Sequence, residues 1–172
     1  MPSSIGVGSL IGSLLVTVVK PPKNRTRIIF LSCALSFLLC DLLWGLGRGA
    51  SVWIFAAVAG NIPLPFLGAN LTTIMRTKVP LEMQGRVFST RDTLQYFTIP
   101  VGFLLGGLLS DHVFEPFMAE ASPLQSFLTK LVGSGKGSGM AVLFLLTGLI
   151  GTVSSFLCLK DRRYHILNEE DS

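Results

Sequence analysis

Charge is what this sequence has least of. Only 14% of its 172 residues are Asp, Glu, Lys or Arg, against about 25% in a typical soluble domain. Long uncharged runs alternate with short charged clusters, which excludes a large soluble core and describes side chains whose solvent is hydrocarbon. Cysteine is scarce as well. Cys33, Cys40 and Cys158 all fall inside apolar runs, with neither metal-ligand spacing nor a disulfide framework, so they read as small apolar filler. No basic segment precedes the first apolar run, which argues against a signal peptide. No serine has a base and an acid nearby in a catalytic pattern, so no enzyme is expected and no cofactor is implied. The net charge of +4 lies in segments that flank apolar runs. It therefore reads as membrane topology and not as a nucleic-acid footprint.

One motif invites a nucleotide. "LVGSGKGSGM", residues 131–140, wraps glycines around Lys136. A phosphate-binding loop requires glycine five positions before the Gly-Lys pair and Ser or Thr immediately after it. Here Lys130 and Gly137 occupy those places, and no strand precedes them. The plainer reading is a flexible joint after a short amphipathic helix. Ser122-Pro123 opens that helix, and Leu124, Phe127, Leu128, Leu131 and Val132 recur along one face. Such a helix is expected to lie along the outer membrane surface.

Five apolar segments follow from the hydropathy pattern: 4–19, 28–47, 52–75, 93–110 and 139–159. The last is uncharged and, at about 1.5 Å per residue, reaches roughly 31 Å, the thickness of a hydrocarbon core. The expected fold is therefore an all-α integral membrane protein with five transmembrane helices in a single domain. Residues 111–138 form an outer loop containing the short amphipathic helix, and 160–172 form a cytoplasmic tail.

The basic residues support this division. Lys20, Lys23, Arg25 and Arg27 lie between the first two spans. Arg76, Lys78, Arg86 and Arg91 lie between the third and fourth, and Lys160, Arg162 and Arg163 follow the fifth. The other two connections hold only Arg48, Lys130 and Lys136. The alternate connections are thus the basic ones, which places the N-terminus outside and the C-terminus in the cytoplasm of an inner-membrane protein. His112 and His165 then fall on opposite sides. The first span is short and starts with no preceding loop, so the chain is expected to be a piece of something longer.

Several residues could carry function. Asp41 is the acid within an apolar run, near its outer end. It reads either as a proton or substrate-cation site or as a structural acid paired with a base such as Arg48. "NIPLP" places Asn61, Pro63 and Pro65 near the middle of the third span, with Asn70 further along. The prolines free carbonyls, as broken helices lining transport sites do, although a simple packing kink fits equally. Pro100 and Gly102 offer a second hinge. Gly102 with Gly106, and Gly8 with Gly12, form Gly-x-x-x-Gly pairs suited to close helix packing. Gln95 could line a pathway. Glu82 and Arg86 are spaced for a helical ion pair, or Arg86, after Gly85, could dock on another loop.

These residues carry a resemblance. The order of the parts resembles the last five of the twelve helices of a major facilitator superfamily transporter. "VPLEMQGRVFSTRDTLQYFTIPVGFLLGGLLSD", residues 79–111, is similar to the stretch joining the tenth and eleventh helices of macrolide-efflux-type drug:proton antiporters, with "GRVFS", "PVG" and "GGLLSD" its most telling parts. "VFEPFMAE" followed by "LVGSGKGSGM" resembles the outer loop of some members. "GVGSLIGSLLVTVV" followed by "KPPKNRTR" resembles the eighth helix and its basic loop. The resemblance implies proton-coupled export of an amphipathic small molecule by alternating access, with the site between two six-helix halves. This chain would supply one wall of that site. Its partners would be the missing N-terminal half, membrane lipid, the proton and the substrate. Asp41, Asn61, Asn70 and Gln95 would contribute to the pathway, the breaks at 62–65 and 100–102 would allow motion, and Gly85 and Arg86 would serve the cytoplasmic gate.

Overall fold

A computed structural model describes residues 2–20, 22, 24–47, 49–119, 123–133 and 137–160. Among them every regular element is helical. The helices are α1 (Pro2–Val18), α2 (Arg25–Leu46), α3 (Ala50–Lys78), α4 (Leu81–Ala119), α5 (Pro123–Val132) and α6 (Ser138–Lys160). Four of them, α2, α3, α4 and α6, are long and apolar enough to cross a membrane. The expected first span is α1, a 17-residue helix that falls just short of the roughly 20 residues a crossing takes. Lys136, the arginine at 48 and the tail beyond Lys160 lie outside the described residues.

The chain forms two units, Met1–Ile74 with Phe144–Ser172, and Met75–Leu143. In the first, glycines set the packing. Gly8 and Gly12 on α1 rest against the Val58 and Ile62 carbonyls of α3, and a methyl at either glycine would overlap those atoms. Lipid tails are as apolar as leucine, so helices gain little from burial alone in a bilayer. Close backbone contact is what holds them together. The Gly8–Gly12 pair therefore acts as its spacing predicts.

Helix α2 is not uniform. Phe37–Leu42 winds as a π-helix between the α-helical stretches Arg25–Ser36 and Leu43–Leu46. The wider i→i+5 register inserts an extra residue and bulges the backbone. Three glycines receive the bulge. A methyl at Gly60 of α3 would stand 2.5 Å from the Cys40 Cβ and 2.9 Å from its Cα. One at Gly148 of α6 would stand 2.9 Å from the Asp41 Cβ, and one at Gly151 would stand 2.6 Å from the Phe37 ring. Ser36 Oγ donates to the Gly60 carbonyl at 2.9 Å, joining α2 to α3. Trp44 meets Phe144 edge to face, with ring centroids 5.3 Å apart.

In the second unit, α4 runs 39 residues through most of the expected 76–92 connection and on past Ser110. It too holds a π-helical segment, Ser110–Phe114. Glu115 then grips the start of α6: its Oε1 accepts the Gly137 N–H at 3.1 Å and its Oε2 accepts the Gly139 N–H at 3.0 Å. A carboxylate at a helix N-terminus satisfies donors that have no partner within the helix. On either side of residues 134–136, which lie outside the described residues, Gly133 and Gly137 both take φ of 95°, which a side chain resists. Gly133 also closes α5 through a hydrogen bond from its N–H to the Thr129 carbonyl, 2.9 Å long.

Candidate functional site

Asp41 lies within the π-helical bulge, against Gly148 of α6. An acid in an apolar helix is costly unless it faces protein or a cavity, and Asp41 is half-buried with its Cβ against α6. Trp44, one turn further along the same face, and Thr152, buried on the facing side of α6, each carry a polar atom, Nε1 and Oγ1, with no hydrogen-bond partner among the described residues. The α2–α6 interface thus carries a carboxylate and an indole donor on α2 and a buried hydroxyl on α6, spread along it: Trp44 meets Phe144, Asp41 meets Gly148, and Thr152 follows Gly151, which meets Phe37. Below them Ser154 and Ser155 turn their hydroxyls back to the Gly151 carbonyl at 3.0 and 2.7 Å. Arg48, the base offered by the sequence as a partner for Asp41, lies outside the described residues.

The asparagines of α3 are satisfied locally. Asn61 Nδ2 donates to the Ala57 carbonyl at 2.7 Å, and Asn70 Nδ2 donates to the Phe66 carbonyl at 2.8 Å. Such bonds to the preceding turn occupy one donor and leave the side-chain carbonyl as an acceptor. Asn61 shares a level with Asp41, because Cys40 and Gly60, their chain neighbours, touch. Asn70 is 8% exposed and lies about 13 Å further along α3 at 1.5 Å per residue. Gln95 belongs to the other unit and is exposed on α4. Within the first unit the structure therefore sets Asp41 and Asn61 at one level and Asn70 further along α3.

The two proline breaks differ. At Ile62 the helix is interrupted: Ala50–Asn61 ends and Pro63–Lys78 begins. Pro63 is buried, and the Pro65 ring packs beside Gly12 of α1. Neither proline can donate to the preceding turn. At Pro100 the helix continues unbroken from Leu81 to Leu109. Gly102, Gly106 and Gly107 there face open space, with no atom within 4 Å of an added methyl. Gly85 and Arg86 are exposed near the start of α4. Among the described residues Arg91 pairs with Asp92 at 2.7 Å, and Glu82 and Arg86 do not pair with each other.

The residues that sequence reasoning missed are Gly60, Gly148, Gly151, Trp44, Thr152 and Glu115. Gly148, Gly151, Thr152 and Ser155 carry a signal, since small residues at spacings of three and four mark a close-packing helix face. The π-helical register that places Asp41 has no such signature.

No family model matches the chain, and no solved structure matches it. Two curated proteins are similar: macrolide efflux protein A of Streptococcus pyogenes, and the protein of the same name from S. pyogenes serotype M6 (strain ATCC BAA-946 / MGAS10394). Each is 26% identical over 113 residues, 64% of this chain. The aligned part covers 27% of the length of each relative. The likeness is a distant one, to an efflux protein, on a chain with four described helices long and apolar enough to cross a membrane.

Proposed function

We propose that this chain is part of a proton-coupled secondary transporter of the major facilitator type, which exports drug-like or amphipathic small molecules by alternating access. The observation that carries the reading is the similarity to macrolide efflux protein A, on an all-helical chain with four helices fit to cross a bilayer. In this reading the second half of the transporter covers α4, and the substrate passes between the halves. Asp41 takes up and releases the proton, Asn61 and Asn70 lend polarity to the pathway, and Gln95 lines its inner end. The interruption at Pro63 and Pro65 and the Pro100–Gly102 stretch absorb the rocking motion. Gly85 and Arg86 act at the cytoplasmic gate.

Asp41→Asn in the assembled transporter tests the coupling. The variant keeps the size of the side chain and removes its titration. Export of a fluorescent amphipathic cation from inverted vesicles is expected to fall to near the rate of vesicles without transporter, and its dependence on an imposed pH gradient is expected to vanish. Unchanged gradient-driven export would dismiss Asp41 as the proton carrier.

Topology offers a second test. If α1 crosses with the other four, the termini lie on opposite sides, the N-terminus outside and the C-terminus in the cytoplasm of the inner membrane. Single cysteines beyond each end, labelled by an impermeant maleimide before and after permeabilisation, are expected to react on opposite sides. Reaction in one compartment would mean an even number of crossings. A second reading, a membrane subunit that binds a partner and transports nothing, draws on the open glycine face of α4.

A further inference from the structure

We propose that the junction between α3 and α4 is a docking surface for the headgroups of anionic phospholipids. The proposal rests on the membrane-spanning reading of the chain and not on transport. The junction has a defined shape. Gln84 Nε2 donates to the Arg76 and Val79 carbonyls, both at 3.0 Å, and so ties the first turn of α4 to the last turn of α3. The Met83 and Gln84 N–H groups meanwhile donate to the Pro80 carbonyl at 2.9 and 3.1 Å.

Two kinds of arginine occupy this region. Arg91 is spent within the protein. Its Nε donates to Asp92 Oδ1 at 2.9 Å, its Nη1 reaches the Met75 sulfur at 3.7 Å, and its guanidinium lies 5.1 Å over the Phe88 ring. Arg76 and Arg86 are exposed and form no ion pair among the described residues. Lys78 adds a third positive charge and Glu82 one negative charge, which leaves the junction positive. Apolar side chains stand between the cations: Leu81 is 87% exposed and Met83 is 52% exposed. Exposed apolar side chains beside Arg76 and Arg86, at the turn between two helices fit to cross a membrane, match the layered chemistry of a bilayer surface. There phosphate lies above acyl chain, and each surface cation gains from a negative headgroup.

The full chain, reconstituted in phosphatidylcholine bilayers, tests this. Spin-labelled phosphatidylglycerol or spin-labelled phosphatidylcholine is added at trace level, and electron paramagnetic resonance reads the motionally restricted fraction of each. The wild type is expected to restrict phosphatidylglycerol preferentially. Arg76→Gln with Arg86→Gln is expected to lower that preference by roughly fivefold for each arginine replaced, while Arg76→Lys with Arg86→Lys keeps most of it. Restriction of phosphatidylcholine, equal in wild type and variants, reports that each chain still spans the bilayer, so failed insertion reads differently from a failed proposal. Equal restriction of the two lipids by the wild type would assign the arginines to a polypeptide partner and overturn the proposal. A preference untouched by the double glutamine variant would overturn it too.

Discussion

Leucine in place of Gly60 is expected to separate α3 from α2. A Cβ at this position would stand 2.5 Å from the Cys40 Cβ and 2.9 Å from its backbone Cα and N. Two of those atoms are main chain and cannot swing aside, so the helices must move. Overpacking of this kind costs about 1–3 kcal/mol. The shift also breaks the Ser36 Oγ bond to the Gly60 carbonyl, worth about 0.6 kcal/mol in a membrane protein. The bulge at Phe37–Leu42 then loses one of its three seats, and Asp41 loses its fixed place against Gly148. The matched control is Gly6→Leu, at a position where an added methyl meets nothing within 4 Å. That change is expected to be neutral, or to stabilise by up to about 1 kcal/mol through helix propensity. Unfolding of the full chain in mixed micelles, titrated with a denaturing detergent and followed by the near-ultraviolet signal of its tryptophans, is expected to show Gly60→Leu well below wild type and Gly6→Leu level with it. Coincident midpoints for all three would show that the α2–α3 contact does not carry the first unit.

That contrast also shows how far the sequence reaches. Hydropathy was enough for the long helices, because spans are set by bilayer thickness: the runs 28–47, 52–75 and 139–159 lie within, or one residue beyond, Arg25–Leu46, Ala50–Lys78 and Ser138–Lys160. The interruption at Ile62 was legible because proline cannot donate. Pattern alone could not separate Gly8–Gly12 from Gly102–Gly106. The spacing is identical, yet the first pair packs on α3 and the second faces open space, and only tertiary structure assigns each its neighbour. The π-helical bulge was invisible for a related reason. One inserted residue changes which face Asp41 presents without altering any apolar period. The asparagines read as pathway groups because a polar side chain in hydrocarbon requires a partner, but sequence could not tell that each amide finds one on its own preceding turn.

The open glycine face of α4 yields the second large effect. This face carries Gly102, Gly106 and Gly107 beside Phe103, which is 79% exposed. Lipid has no use for glycine, which packs poorly against acyl chains and costs helix propensity, whereas another helix does, because a missing side chain lets backbones approach. If a second half of a transporter covers this face, Gly102→Leu with Gly106→Leu is expected to leave the chain's own unfolding unchanged or slightly improved, since no atom of this chain is displaced. In the assembled transporter the same change should abolish export and release the two halves from one another in detergent. Alanine at both positions separates packing from hinge motion. It adds one methyl and stiffens the helix, so tolerance of alanine with loss on leucine points to packing, while equal loss with both points to the bend beside Pro100. Full export with leucine at both positions would place this face against lipid, and α4 would then bear no partner there.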